Sequence, residues 1–185
     1  MEEPDRFQDV LSAATSGAEW ALEELFRELY PRLLRYLRAT EPSEAEDIAS
    51  DVWIEVATGL VRFQGGETAL RAWAFTIARR RVIDLRRRRG RRATEPMEPG
   101  RVEELSSSGN VEEDAMTSLT TQAALTLIAT LPSDQAEVIL LRVLGGHSVA
   151  EVAAIMNKRP GTVRVLQHRG LRRLARRIVK EGVTG

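Results

Sequence analysis

The sequence predicts an all-α protein made of two small helical domains joined by a flexible, acidic linker. Apolar residues recur at helical spacing through most of the 185-residue chain, whereas no stretch shows the clean alternation that is typical of a strand. The segment 93–117 interrupts this pattern, because it is rich in proline, glycine, serine and acidic residues and has few large apolar side chains. We therefore expect one domain at 1–92, a linker at 93–117 and a second domain at 118–185.

Composition narrows the class of protein. The chain has 43% hydrophobic and 29% charged residues, which is enough apolar material for a buried core. It has no cysteine, so disulfides, thiol nucleophiles and cysteine-ligated zinc are excluded. The two histidines have no companions at ligand spacing, and the sequence shows no nucleophile–base pair, so we expect no metal, no cofactor and no catalytic residue. No apolar run approaches the roughly 20 residues that a membrane span needs, and we expect a cytoplasmic protein.

Three helical blocks are expected in the first domain, each with apolar residues along one side. The first, at roughly 18–38, contains Pro31, which we expect to kink the helix. The second, at roughly 43–59, begins with Ser43 three residues before a glutamate, which is the spacing of a capping box. The third, at roughly 68–89, is expected to bury four large side chains, Leu70, Trp73, Ile77 and Leu85.

The second block carries a stripe of carboxylates. Asp47, Asp51 and Glu55 occur at every fourth position, so the three side chains lie along one side of the helix. Like charges at this spacing destabilise an isolated helix, and an external basic partner would explain their presence. The alternative is that arginines of the first block pair with them inside the domain. The candidates for such pairing are Arg32, Arg35 and Arg38.

The third block has the opposite charge. Arg71, Phe75 and Arg79 fall on one side of it, away from its apolar line, and a run of arginines follows. The loop before this block contains Phe63 and two glycines. An aromatic ring in a loop beside a cationic helix is suited to holding an unstacked base over a phosphate track. The alternative for Phe63 is that its ring only closes the hydrophobic core.

The stretch 131–174 predicts a helix-turn-helix. A first helix ends at a Gly-Gly pair, Ser148 is placed to cap a second helix, and Pro160 is placed to begin a third after a turn at 157–159. No carboxylate occurs between Val152 and Lys180, although arginines are frequent there. We expect the third helix to enter the major groove of DNA. The alternative is a basic helix that is merely solvated.

The outward side of the third helix follows from a turn of about 100° per residue, with Val163, Gly170 and Leu174 taken as the buried line. Arg164 is expected to read a base, and arginines further along are expected to reach phosphates. His147, in the turn before the second helix, is expected to be solvated. The residues expected to contact DNA here are Arg159, Thr162, Arg164, Val165, His168, Arg169, Arg172 and Arg176.

In their order along the chain, these blocks resemble the extracytoplasmic-function, or group-four, sigma factors of bacterial RNA polymerase. Phe26–Leu37 resembles the start of sigma region 2, Glu44–Val56 the family's core-binding helix, and Ala72–Arg88 its promoter-melting helix. The residues that resemble sigma region 4 are Leu131-Pro132, the block Val149–Ala154, and Gly161-Thr162-Val163.

The resemblance implies a partner for each surface. The acidic stripe would dock on the clamp helices of the largest polymerase subunit, and the loop with the third block would capture melted bases of the minus-ten element. The helix-turn-helix would read the minus-thirty-five element, with the flap of the second-largest subunit and an anti-sigma factor as further candidate partners. The implied core-binding residues are Glu44, Asp47, Asp51 and Glu55, and the implied minus-ten residues are Arg62, Phe63, Gln64, Arg71, Phe75, Arg79 and Arg80.

Two residues depart from the family pattern at the entry to the recognition helix. Arg159 stands where a small capping serine is usual, and Lys158 stands where an apolar residue is common. The alternative function is a free-standing helix-turn-helix regulator that acts without polymerase. Such a regulator would need neither the acidic stripe nor the cationic third block.

Overall fold

The computed structural model describes residues 6–94 and 123–182, and all regular structure within these ranges is helical. This confirms the expected all-α class. The chain divides into two compact units, Met1–Ser106 and Ser107–Gly185. Most of the expected linker lies outside the described residues, and the last helix of the first unit extends to Thr94.

The described part of the first unit contains four helices, and one of them was not expected. α1 packs against α2 and buries Val10, Leu11 and Ala14, although the sequence pattern gave no signal for it. α2 runs without a break through Pro31. The helices are α1 (Arg6–Thr15), α2 (Glu19–Thr40), α3 (Ala45–Gly59) and α4 (Glu67–Thr94), and the 3-10 turns are Pro42–Glu44 and Leu60–Arg62.

The core of the first unit forms where α2, α3 and α4 pack against one another. Leu37, Val52 and Leu70 are fully buried there. Of the four residues expected to be buried on α4, Leu70 and Ile77 are buried, whereas Trp73 and Leu85 are only half-buried. Burial of large apolar side chains contributes about 1.5–3 kcal/mol each. This core holds the charged surface residues of α3 and α4 side by side.

The capping box expected at Ser43 is wrong. The 3-10 turn Pro42–Glu44 precedes α3, so the helix begins at Ala45 and its N-cap is Glu44, which makes no side-chain capping bond. The Ser43 hydroxyl instead accepts a hydrogen bond from Arg89 of α4 at 3.4 Å. A proline at the first position of the 3-10 turn shifts the start of the helix past the serine.

The second unit is helical at 123–129 (α5) and then forms three packed helices: α6 (Ser133–Val143), α7 (Val149–Ile155) and α8 (Pro160–Gly182). Its centre consists of side chains from all three packed helices, namely Val138, Leu141, Val152 and Val163. Within the described ranges, no helix combines the length and the apolar character that crossing a membrane requires.

The turns of the second unit are formed as the sequence predicts. Ser148 caps α7 by accepting a hydrogen bond from the Glu151 amide, and the Glu151 carboxylate accepts one from the Ser148 amide, which makes a full capping box. Asn157 takes a left-handed conformation at φ 51°, which asparagine tolerates better than most residues. Pro160 begins α8. The α7–turn–α8 segment is therefore a helix-turn-helix.

Candidate nucleic-acid interfaces

The exposed side of α8 carries the residues expected to contact DNA. Val163 is fully buried and Gly170 is buried, whereas Val165 is 48% exposed and Arg164 and His168 face solvent. The expected outward side of this helix is therefore exposed, and two of the three residues of the expected buried line are buried, whereas Leu174 is half-buried. The other expected residues, Arg159, Thr162, Arg169, Arg172 and Arg176, are exposed as well.

Gly170 sets how closely α8 approaches α6. A Cβ atom on this residue would lie 2.7 Å from Ile139 Cδ1, which is closer than side chains normally pack, and 3.4 Å from Gln135 Cβ, which is an ordinary contact. On the same side of α8, Arg173 donates a hydrogen bond to the Gln135 amide oxygen at 3.2 Å. The lack of a side chain at Gly170 thus lets α8 pack closely on α6 at Ile139 and Gln135.

The turn before α7 is fixed by a buried histidine, and the expectation that His147 is solvated is wrong. His147 is 0% exposed; its Nδ1 lies 3.4 Å from Glu151 Oε1, and its carbonyl oxygen accepts a hydrogen bond from Arg142. A Cβ atom on Gly145 would lie 2.6 Å from the His147 ring and 2.7 Å from the Leu141 carbonyl oxygen, so only glycine leaves room for the ring. The sequence contained this signal as the Gly-Gly-His order, but periodicity does not detect it.

The Glu151 carboxylate is negatively charged within this turn. Burial alone would raise the pKa of Glu151, but hydrogen bonds from the side chain and backbone of Ser148 and from His147 outweigh burial and lower the pKa below its ordinary value. An ionised carboxylate accepts stronger hydrogen bonds from these donors than a neutral one would. The charge therefore strengthens the cap of α7 and the turn that leads from α6.

Lys158, one of the two departures from the family pattern, bridges the turn to α6. Its ammonium lies 2.9 Å from the Asp134 carboxylate, and its backbone amide bonds the Ala153 carbonyl oxygen at 2.8 Å. A lysine here thus supplies a link between the entry of α8 and the start of α6. The neighbouring Arg159 is exposed.

In the first unit, the loop between α3 and α4 presents a stacked pair of aromatic rings. The Phe63 ring lies 5.3 Å from the Trp73 ring at an interplanar angle of 19°, and Phe63 remains half-buried. Gly59 makes room for Trp73, because a Cβ atom there would lie 2.5 Å from the indole. Gly65 has a φ of 149° and would clash with Ala69 if it carried a side chain. The two glycines thus shape a loop in which one aromatic ring supports another.

The cationic side of α4 differs from the expected one. Phe75 is 1% exposed and packs against Tyr36 at 5.5 Å between ring centroids, so its assignment to the DNA-binding surface is wrong. The cause is that α4 packs on both α2 and α3, which buries a wider arc of the helix than one apolar line indicates. Arg71 is largely covered and pairs with Glu67 at 3.1 Å. Arg62, Gln64 and Arg80 face solvent.

The acidic stripe of α3 is not an unpaired surface. Asp51 accepts a hydrogen bond from Arg81 at 2.8 Å, and Glu55 binds both Arg81 at 3.0 Å and Arg80 at 2.5 Å. The partners therefore lie on α4 and not on α2, so the alternative pairing with Arg32, Arg35 or Arg38 is wrong for these two residues. Asp47, which is exposed, is the residue of the stripe that makes no ion pair with the described residues.

A second set of ion pairs attaches the distal part of α4. The Glu41 carboxylate, only 9% exposed, binds Arg86 at 2.5 Å and Arg89 at 2.7 Å. Arg89 also binds Glu44 at 3.1 Å, so Glu44 is engaged within the domain as well. Arg86 and Arg89 of the basic run thus hold α4 against the turn between α2 and α3.

An aromatic groove lies on the side of α2 that faces α3. Phe26 stacks on Tyr30 at 4.4 Å and meets the edge of Trp53 at 5.1 Å, and the groove beside these rings is lined further by Glu19, Glu23 and Arg27.

No group of three metal-ligating side chains occurs in the described ranges.

The two units thus define a DNA-binding protein with a helix-turn-helix in one unit and paired acidic and basic helices in the other. The family models Sigma-70 region 2 and Sigma-70, region 4 match residues 25–92 and 121–174, respectively. The ECF RNA polymerase sigma factor SigD of Mycobacterium tuberculosis is 33% identical over 184 residues, which cover 96% of this chain and 86% of SigD. ShbA of Streptomyces griseus, also an ECF RNA polymerase sigma factor, is 34% identical over 170 residues, or 87% of this chain and 89% of ShbA.

Solved sigma factor structures share the fold. CnrH, solved in complex with the cytosolic domain of CnrY, gives a TM-score of 0.70 at 19% identity and covers 95% of this chain and 99% of its own. RpoE of Bartonella quintana, solved with the anti-sigma factor NepR, gives 0.64 at 23% identity and covers 82% and 92%. The chain belongs to the ECF sigma factors of bacterial RNA polymerase. It therefore directs core polymerase to promoters, and the alternative, a free-standing regulator that acts without polymerase, is not favoured. The sigma factors are not a family of enzymes.

Proposed function

We propose that α8 reads the minus-thirty-five element, with Arg164 contacting a base and Arg169, Arg172 and Arg176 contacting phosphates. The observation that carries this proposal is the exposed cationic side of α8, on which these four arginines make no ion pair with any described residue. The N-terminal half of a recognition helix lies deepest in the major groove, where arginine can bind guanine through two hydrogen bonds. Thr162, Val165 and His168 lie on the same side and complete the base-facing surface.

In the first unit, the minus-ten element would be held by the loop and by α4. Phe63 is supported from behind by Trp73, so its ring is suited to stacking with an extruded base. Arg62 and Gln64 flank this ring in the exposed part of the loop, and Arg80 follows on α4. Arg71 and Arg79 stay in the proposed surface, whereas Phe75 leaves it because it is buried.

The polymerase core would bind α3. Asp47 is the strongest candidate for a direct contact, because it is exposed and lacks an ion-pair partner among the described residues. Glu44, Asp51 and Glu55 lie along the same helix or at its start, but each is bound to an arginine of α4. We propose the clamp helices of the largest subunit as the partner of α3, and the flap of the second-largest subunit as a partner of the second unit.

The remaining parts of the proposal concern organisation. Residues 1–92 would act as sigma region 2, residues 93–117 as a flexible acidic linker, and residues 118–185 as sigma region 4. The protein would act in the cytoplasm, where its polymerase partner works, and without chemistry of its own. Since the solved CnrH and RpoE chains are complexed with the cytosolic domain of CnrY and with NepR, we also propose an anti-sigma factor as a partner.

The test is run-off transcription with purified core polymerase on a panel of promoters. Asp47→Arg should lower transcription by weakening core association, while the helicity of the protein is kept. Asp9→Arg is the matched control, because Asp9 is an exposed carboxylate on α1, outside the proposed interfaces. If Asp47→Arg binds core polymerase as tightly as the control does, the assignment of α3 to the polymerase is wrong.

A further inference from the structure

Two adjacent cations at the entry to α8 differ in what they contact. The Lys158 ammonium lies 2.9 Å from the Asp134 carboxylate of α6, and the lysine side chain is only 27% exposed. Arg159 is exposed and makes no ion pair with the described residues. Both residues depart from the family pattern, so the difference between them is a property of this chain.

The entry to α8 has no capping side chain from its N-cap residue. The carbonyl oxygen of Arg159 accepts a hydrogen bond from the Val163 amide at 3.2 Å, which places Arg159 at the N-cap. A guanidinium has no acceptor atom, so it cannot bond the amides of the first turn as a serine hydroxyl would. Pro160 lacks an amide and sets a helical φ, but it makes no link to another helix. The ion pair of Lys158 with Asp134 supplies that link.

The charge of Lys158 is offset by α6 and is not directed at a ligand. A cation beside the N-terminus of a helix is opposed by the helix dipole, whereas a carboxylate there is favourable. Asp134 lies in the first turn of α6, and its carboxylate neutralises the lysine beside the start of α8. Moving the Lys158 ammonium to a phosphate would leave the Asp134 carboxylate without its partner next to a proposed DNA-binding surface. Arg159 has no such tie and is available to an anion.

We propose that Lys158 is a positioning residue, held by Asp134, that fixes the entry of the recognition helix, and that Arg159 binds a phosphate of the minus-thirty-five element. The inference rests on the proposed function, because it needs α8 to bind this element. Arg164 lies about one helical turn after Pro160, so a displaced entry also displaces the base-reading guanidinium. A phosphate contact by Arg159 adds affinity without reading sequence. Since the ion pair is partly exposed, its loss weakens binding by about twofold to fivefold.

The first experiment exchanges the two partners and measures binding of the holoenzyme, made with the full-length protein, to a labelled promoter duplex. Lys158→Asp should weaken binding by about threefold to fivefold, because it places two carboxylates side by side. Adding Asp134→Lys rebuilds the pair with its polarity reversed and the net charge of the wild type, and should restore the affinity to within about twofold. If the exchanged protein stays as weak as Lys158→Asp alone, the lysine makes its own contact with DNA and the inference is overturned. Far-ultraviolet circular dichroism verifies that each protein is folded.

The salt dependence of the same binding separates the two cations with milder substitutions. Arg159→Gln should flatten the log–log slope by about 0.9, the change expected for one phosphate contact on duplex DNA, whereas Lys158→Gln should change it by less than about 0.3. Arg177→Gln is the matched control, because it removes an exposed arginine of α8 that lies outside the proposed DNA-binding residues. Equal flattening by Lys158→Gln and Arg159→Gln overturns the assignment of Lys158. An effect of Arg159→Gln no larger than that of the control overturns the assignment of Arg159.

Selectivity distinguishes positioning from a general loss of stability. Arg164→Ala first identifies the base pair that this arginine reads. Lys158→Gln should then lower the discrimination at that base pair by about twofold to fivefold, whereas Arg159→Gln should weaken matched and mutated sites alike. An equal loss on both sites for Lys158→Gln contradicts the positioning role.

The same variants separate failure of this inference from failure of the proposed function. If Arg164→Ala relaxes the preference while the exchanged pair does not restore binding, the positioning role is wrong and the reading of DNA by α8 stands. If Arg164→Ala and Arg159→Gln both leave promoter binding unchanged, α8 does not bind the minus-thirty-five element, and the proposed function fails together with the inference.

Discussion

The two arginine-rich helices, α4 and α8, use the same residue in different ways. On α4, Arg80, Arg81, Arg86 and Arg89 are bound by carboxylates of α3 and of the turn before it. On the described part of α8, Arg173 bonds an amide of α6, and the arginines on the outward side have no carboxylate partner among the described residues. The arginines of α4 thus bind α4 to its own domain, whereas the outward arginines of α8 are available to bind DNA phosphates.

The difference shows that a high arginine content does not by itself identify a nucleic-acid interface. An arginine-rich helix is available to nucleic acid only where carboxylates of the same folded unit do not accept the hydrogen bonds of its arginines. The acceptors of α4 lie 25 to 48 residues earlier in the chain, and the folded core brings them alongside. The outward arginines of α8, by contrast, have no carboxylate partner among the described residues, and no carboxylate occurs between Val152 and Lys180, which favours counter-charge from a nucleic acid.

The largest expected effect separates base reading from phosphate binding on α8. Arg164→Ala should cost about 1–3 kcal/mol on the best minus-thirty-five site and relax the preference at one or two base pairs. Arg172→Ala should weaken all sites alike and flatten the salt dependence, because it removes a phosphate contact. The measurement is holoenzyme binding to a panel of mutated minus-thirty-five sequences. Identical selectivity profiles for the two variants would show that the helix is not divided in this way.

A second prediction concerns the aromatic pair in the first unit. Phe63→Ala should reduce open-complex formation more than closed-complex binding, because stacking with an extruded base is worth about 1–3 kcal/mol and exists only after melting. Since Phe63 also stacks on Trp73, the variant loses some packing, and Phe63→Leu serves as a control that restores apolar contact without a ring. Permanganate footprinting and filter binding measure the two steps. Equal losses in both steps would mean that Phe63 is a structural residue.

A third prediction tests the ion pairs of Glu41, which hold α4 against the turn between α2 and α3. Glu41→Ala should destabilise the first unit by about 1–2 kcal/mol, because a largely buried carboxylate with two arginine partners is removed. Arg172→Ala, on the exposed side of α8, should change stability by less than about 0.5 kcal/mol. All three tryptophans, Trp20, Trp53 and Trp73, lie in the first unit, so urea unfolding followed by tryptophan fluorescence reports on that unit in the intact chain. An unchanged midpoint for Glu41→Ala would rule out a structural role for its pairs.

Sequence patterns predicted local features well and long-range charge pairing poorly. The cap at Ser148, the turn at Asn157 and the start of α8 at Pro160 depend on a few neighbouring residues, so the sequence predicts them correctly. The family resemblance was confirmed as well. The partners of Asp51 and Glu55 depend on how α3 and α4 pack, which periodicity within one helix does not contain. The burial of Phe75 and the position of α1 against α2 were missed because each depends on packing against other helices. The surroundings of His147 were missed although its contacts are local, because periodicity does not detect the Gly-Gly-His turn.

The smallest expected effect lies in the turn that positions α8. The folded-state pKa of Glu151 is lowered from its ordinary value of 4.5, so its charge contributes stability that is present above that value and is lost as the pH falls through the folded-state pKa. Glu151→Gln keeps a capping side chain but cannot ionise, and it should therefore lose less protection than the wild type on acidification. We expect a difference below about 1 kcal/mol, because neighbouring hydrogen bonds remain. Hydrogen exchange of peptides from 149–155, compared between the two proteins at neutral pH and at about pH 3.5, measures it. If acid lowers the protection of both proteins equally, the Glu151 charge does not stabilise the turn.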